Sequence, residues 1–135
     1  MSDIRLEIKG LEEIQKKLKK EAILQPFNDG IKKITLALQR EISVATSVDT
    51  GRLRDSITPN LIEERGISKG IIRTNVIYAP FVEYGTKKME ARHVIEGSSV
   101  KVKGKGMFAF GLEKVKEKMA KFIADIGIAI EQRWN

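Results

Sequence analysis

The feature that most constrains this chain is a change of hydrophobic period near its middle. Residues 57–64 and 71–78 are rich in β-branched and aromatic side chains, with Ile72, Thr74, Val76 and Tyr78 suited to a pleated surface. Arg65-Gly66-Ile67-Ser68-Lys69-Gly70 joins them, and two glycines in so short a connection favour a hairpin. A further strand is read at the start, where Ile4, Leu6 and Ile8 alternate with Arg5, Glu7 and Lys9 before Gly10. The flanking segments have helical period instead. Leu11, Ile14, Leu18 and Ala22 predict a first helix over 11–24, which Pro26 stops. Asn28 or Asp29 caps a second helix, whose Ile31, Ile34, Leu38, Ile42 and Ala45 share a face. Thr50 caps a short turn through Arg54, and Leu112, Val115, Met119, Phe122, Ile123, Ile126 and Ile130 mark one C-terminal helix reaching Trp134. The class is therefore α+β: a small, mostly antiparallel sheet with two N-terminal helices and a C-terminal helix packed on one face.

A chain of 135 residues has room for one good core, so residues 1–135 are expected to form a single domain. At 41% hydrophobic and 32% charged residues it is too apolar for a disordered chain. No apolar run approaches the roughly 20 residues needed to span a bilayer. The start, MSDIRLEIKG, lacks a basic region followed by an apolar stretch, so a soluble product made in the cytoplasm is expected.

Chemistry is poorly supplied. Without cysteine there is no disulfide framework, thiolate nucleophile or cysteine-based zinc site. His93 is the single histidine, too little for a metal cluster or a serine–histidine relay. Gly104-Lys105-Gly106 with Gly111 fits neither the dinucleotide nor the Walker spacing. Asp49, Glu83, Glu90 and Glu96 are not spaced to pair around a cleft, and Asp49 reads as a turn residue. The expectation is a non-enzyme with no catalytic, cofactor-binding or metal-binding residues.

The charge of +7 and pI of about 9.7 suit an acidic partner or nucleic acid, although lysines spread along helices read first as a solvated surface. Periodicity fades between 87 and 106, where Lys87, Lys88, Arg92, Lys101, Lys103 and Lys105 stand among small residues. This stretch is expected to be a mobile loop, or else a hairpin extension, since Ser99-Val100-Lys101-Val102-Lys103 alternates. Phosphate contacts there would make binding fall steeply with salt. Yet no aromatic side chain is interleaved with Lys101 to Lys105 for base stacking, and no helix-turn-helix spacing occurs. A basic nucleic-acid-binding module is the alternative function.

Two segments are more specific together than apart. Asp49-Thr50-Gly51-Arg52-Leu53-Arg54-Asp55-Ser56-Ile57 follows a helix, and Tyr78-Ala79-Pro80-Phe81-Val82-Glu83-Tyr84-Gly85-Thr86-Lys87-Lys88-Met89 follows a strand. In this order they resemble the HK-ninety-seven-type gene-product-ten family of tailed-phage tail-completion or head–tail joining (neck) proteins, over roughly residues 31–118. The matching positions are Asp49, Thr50, Gly51, Leu53, Arg54 and Ser56, then Tyr78, Ala79, Val82, Glu83, Tyr84, Gly85 and Thr86. The chain departs from the family at Met89-Glu90-Ala91-Arg92-His93, which lacks prolines, and at residues 94–105, which read as an insertion. The resemblance implies a structural virion protein, made in the bacterial host cytoplasm and placed in the neck or at the head-proximal end of the tail. Its partners would be itself, in a ring for which a hexamer is one candidate, and other neck or tail proteins. DNA in the channel would be met without sequence specificity; no membrane and no small-molecule substrate is implied. Physically, Gly51 and Gly85 relieve turns, Tyr78, Phe81 and Tyr84 offer contact area, and Arg52, Arg54 and Glu83 are candidates to bond the two turns to each other.

Overall fold

The structure, a computed structural model, describes residues 4–8, 21–47 and 51–134. The first strand, β1 (Ile4–Ile8), lies antiparallel to β3 (Ile67–Thr74), which also pairs with β2 (Thr58–Glu64), giving the order β1-β3-β2. Ile4 stands opposite Thr74 and Ile8 opposite Gly70, while Thr58 faces Arg73 and Glu64 faces Ile67. The hairpin turn is Arg65-Gly66 alone. Both residues have positive φ, 53° and 82°, the geometry whose twist matches that of the flanking strands.

The strand therefore begins at Ile67, four residues before the expected start, and Gly70 belongs to it. The reason lies above the sheet. The helix α1 (Glu21–Ala45) crosses β3, and a β-carbon on Gly70 would collide with the buried Thr35 side chain. Gly70 is a packing glycine, not a turn glycine.

Helix α1 is the axis of the molecule. It rests on β3 with one face and carries the C-terminal helices α4 (Met107–Glu117) and α5 (Met119–Trp134) on another. Leu38 and Ile42 are fully buried between these layers, with Ile34, Ile72, Met107 and Val115 beside them. Two buried threonines, Thr35 on α1 and Thr46 just past its end, satisfy their hydroxyls on the helix backbone, Thr35 donating to the Ile31 carbonyl and Thr46 to that of Ile42, each at 2.7 Å.

Three expectations are corrected. Pro26 does not end a helix but lies inside α1, with its ring buried. Proline removes one backbone bond there, and the apolar face that continues through Ile31, Ile34 and Leu38 holds the helix on the sheet regardless. Asn28 is not a cap either. Its Nδ2 donates to the Gly66 carbonyl at 2.9 Å, and its Oδ1 accepts from the Ser68 N–H at 3.0 Å, so α1 grips the hairpin turn. The C-terminal helix is two helices, divided at Lys118, the C-cap of the first (φ −98°, ψ 0°). The expected first helix over 11–24 falls mostly outside the described residues.

Residues 92–103 adopt the hairpin alternative: β4 (Arg92–Val94) pairs with β5 (Lys101–Lys103) in a separate two-stranded sheet. Two short helices, α2 (Arg52–Asp55) and α3 (Ala79–Tyr84), carry the paired motifs. The architecture is α+β with two small antiparallel sheets, and the C-terminal helices pack chiefly on α1 instead of on the sheet. No helix among the described residues is long and apolar enough to cross a membrane.

Candidate assembly surface

The first motif turns inward. Gly51 opens α2 with φ 72°, a left-handed conformation that side chains resist. Two residues on, Leu53 is 5% exposed and belongs to the core. Arg54 reaches back to the end of α1, where its Nη2 donates to the Thr46 carbonyl at 2.9 Å and to that of Val44 at 3.4 Å. A cation on the last carbonyls of a helix satisfies acceptors that lack intrahelical partners and complements the dipole. Ser56 shares a hydrogen bond with the Thr74 hydroxyl, and Thr74 accepts from the Val76 N–H at 3.2 Å. The motif thus fastens the end of α1 to the end of β3. Asp49 and Thr50 lie outside the described residues.

The second motif divides by face. Ala79 and Val82 are buried, Pro80 sits in the first turn of α3, and Tyr78 packs against the core. Glu83, 8% exposed, is the central member of this half. Its carboxylate accepts from the Phe108 N–H at 2.7 Å and the Ala109 N–H at 3.3 Å, capping α4 from 25 residues away in sequence. Burial pushes its pKa above the ordinary carboxylate value, while those two N–H bonds pull it back down. Gly106 must be glycine, since a β-carbon there would run into the Glu83 carboxylate. Gly85 has φ 80°, and a β-carbon would come within 2.7 Å of the Met89 carbonyl oxygen and the Ala91 nitrogen. The Thr86 hydroxyl accepts from the N–H of Met89 at 3.1 Å and of Lys88 at 3.3 Å, closing the turn.

The expectation that Arg52, Arg54 and Glu83 bond the two turns together is corrected for the last two. Arg54 and Glu83 serve opposite helix ends, the C-terminus of α1 and the N-terminus of α4. Unmet backbone groups at helix termini outcompete the remoter charge as partners.

The other face of the second motif points to water. Tyr84 is 73% exposed, Ile77 71%, Phe81 55% and Met89 51%. Taking about 200 Å² for each large side chain, these fractions leave on the order of 500 Å² of apolar surface around α3, at the upper end of what a monomer normally shows. Ile77 and Met89 were not among the expected site residues. Ile77 reads as part of the strand expected over 71–78, which in fact ends at Thr74, and only the placement of Met89 next to the Gly85-Thr86 turn hints at either.

The basic residues are dispersed. Lys87 and Lys88 are exposed on the Thr86 turn beside this patch. Lys101 and Lys103 are exposed on β5, and Arg92, half-buried, stands opposite Lys103 across the hairpin. Lys105 is paired with Glu113, whose carboxyl it holds below the usual range. His93 is buried: it stacks on Phe110 with ring centres 3.9 Å apart, and its Nδ1 bonds the Lys105 carbonyl at 2.7 Å, tying the hairpin to α4. Among the described residues no group of three or more His, Cys, Asp or Glu is placed to hold a metal ion.

Comparison with known proteins adds a family. A family model described as “Bacteriophage HK97-gp10, putative tail-component” matches residues 8–85. The match begins earlier than the motif resemblance and ends at Gly85, short of the hairpin and of α4 and α5. No curated protein and no solved structure matches the chain.

Proposed function

The chain belongs to the HK97-gp10-like family of bacteriophage tail components, and from that premise we propose that it is a non-catalytic structural virion protein of the head–tail junction or the head-proximal tail end. The observation that carries this reading is the division within the second motif. Its Ala79, Val82, Glu83, Gly85 and Thr86 hold α3 and α4 in place, whereas Phe81 and Tyr84, with Ile77 and Met89, leave a large exposed apolar area around α3. A rigid, aromatic, two-sided element of this kind suits subunit contact and offers no nucleophile or acid–base pair to chemistry. Copies joined head to tail into a ring would use such a patch at every junction.

Peptide mass spectrometry on purified particles from an induced lysate tests the placement. The chain should be found at low copy number, near that of one ring. Absence from particles would overturn the proposal.

A second reading rests on the hairpin. Arg92 opposite Lys103 is a like-charge pair across antiparallel strands, an arrangement that is unfavourable without an anion nearby. It supports contact with DNA in the channel. Duplex binding measured by fluorescence anisotropy should then weaken steeply with salt and vanish in a Lys101→Glu, Lys103→Glu variant; binding indifferent to both would dismiss this reading.

A further inference from the structure

Helix α5 is apolar on two sides. Met119, Phe122 and Ile126 pack on the core, and a β-carbon at Gly30 of α1 would collide with Ile126, so the two helices meet closely. The opposite side carries Ala120, Ile123, Ala124, Gly127 and Ile128, spaced by three and four residues, with Ile123 59% and Ile128 52% exposed. Gly127 has open space above it and an ordinary backbone, so nothing within the chain calls for a glycine there. These apolar residues face water on the side away from the core, flanked by the exposed Lys121 and Glu131.

The chain thus shows two uncovered apolar faces, this one and the patch around α3. They lie at opposite ends of α4: Glu83 of α3 caps its first turn, and α5 follows its last. Eleven residues of helix put about 16 Å between them. Their net charges lean to opposite signs: Lys87 and Lys88 outnumber Glu90 beside the patch, whereas Asp125 and Glu131 outnumber Lys121 among the exposed residues along α5.

We propose that the α3 patch of one copy docks on the outer face of α5 in a second copy of this chain, head to tail. This inference rests on the reading of the protein as a ring component and specifies the contact. The α5 face offers roughly 300 Å² of apolar surface against roughly 500 Å² from the patch. At the usual apolar share of an interface, about 57%, the pair would bury about 1,400 Å², within the range of stable specific contacts. The contact sets lysines against carboxylates. A patch facing its own image would oppose lysine to lysine and leave α5 bare. One repeated heterologous contact covers both faces, and it closes into a ring if its rotation permits.

The test exploits the direction of the contact. One full-length variant loses the patch (Phe81→Asp with Tyr84→Asp), another the helix face (Ile123→Asp with Ile128→Asp). Native mass spectrometry and sedimentation should show wild type assembling beyond a dimer and each variant alone monomeric, its dissociation constant raised about 30-fold or more. Mixed one to one, the variants should form a heterodimer and stop, because only one intact patch meets one intact helix. Assembly of either variant alone, no heterodimer in the mixture, or a wild type that is monomeric at every concentration reached would overturn the contact. Should an aspartate variant fail to fold by circular dichroism, the absence of native cysteine provides a second route. Tyr84→Cys mixed with Ile128→Cys should give a mixed disulfide under mild oxidation, and an 84–84 dimer would overturn the proposal. A chain found in particles yet monomeric in these assays sinks this contact alone; absence from particles sinks the tail reading.

Discussion

Replacing Glu83 by alanine removes the acceptor for two N–H groups at the start of α4. The Phe108 bond, at 2.7 Å and buried, is a full charge-assisted hydrogen bond, and such bonds contribute about 1.5–3 kcal/mol. The Ala109 bond, at 3.3 Å and part-buried, adds less, because water can replace the acceptor. Against this stands relief from burying a carboxylate, which the raised pKa records. The net loss expected is about 2 kcal/mol, comparable with the strongest single helix caps. For a chain of 135 residues that lowers Tm by roughly 5–10 °C. Urea and thermal unfolding followed by circular dichroism measure the loss, and hydrogen exchange locates it. Protection should fall first at Phe108 and Ala109 and along α4, while β2 and β3 keep theirs. A change below about 0.5 kcal/mol, the usual size for surface substitutions, or an even loss of protection across the chain, would refute the clamp.

The same residue fixes a pH dependence. The folded-state pKa of Glu83 lies above its unfolded value, so the folded state binds the proton more tightly. Its contribution is therefore greatest at low pH and declines as pH rises from the ordinary carboxylate value through the raised folded one. Subtracting the stability curve of Glu83→Gln from that of wild type isolates this slope. Glu113, held low by Lys105, slopes the opposite way, adding stability above its unfolded pKa that disappears as pH falls. A difference curve for Glu83→Gln that rises with pH in this window would reverse the assignment.

Three further outcomes are expected. Asn28→Ala removes its bonds to Gly66 in the turn and to Ser68 at the start of β3 and should cost about 1–3 kcal/mol by urea unfolding, with lost protection at Ser68. Gly111→Ala drives a β-carbon to 2.6 Å from the Ile42 side chain and 2.9 Å from its backbone nitrogen, costing about 1–3 kcal/mol, whereas Gly127→Ala, in open space, should stabilise the isolated chain by up to about 1 kcal/mol. In the free subunit, hydrogen exchange should be fast from Ile95 to Val100, where every residue is exposed, slow at the buried His93 and Val94, and slower at the tip on assembly; a tip protected in isolation would remove the expected ordering step.

Periodicity is enough to read the later part of α1, the β2–β3 hairpin and a single apolar helix at the C-terminus, because each buries one face and therefore repeats, though not where α1 begins or where the C-terminal helix divides. It failed where a residue answers to something distant. Gly70 looks like a turn glycine until Thr35 is seen above it, so local pattern places the strand's start four residues late. Asn28 before an apolar run has every local mark of a cap, yet a turn 38 residues away takes its side chain. Pro26 carries a local penalty of one hydrogen bond, smaller than the combined burial of the α1 face beyond it. Lys118 interrupts an unbroken run of helix formers, and no single residue marks the break.

The motifs raise a subtler point. Glu83 stood out in the sequence together with Arg52 and Arg54, and charge alone suggested joining them. The fold instead gives Arg54 to carbonyls at the end of one helix and Glu83 to amides at the start of another. Each of these terminal groups is fixed by its helix, so a charge placed on it holds an element in direction as well as in position. That explains how α3 can present Phe81 and Tyr84 rigidly: its buried side is tied through Glu83 to α4, and through Gly85 and Thr86 to the turn that follows. An anchor fixed in this way loses little side-chain entropy on meeting a partner, and preorganisation is what lets a modest apolar area bind. Loosening Glu83 should therefore weaken assembly as well as stability, although its carboxylate is itself buried against Gly106 and the first amides of α4.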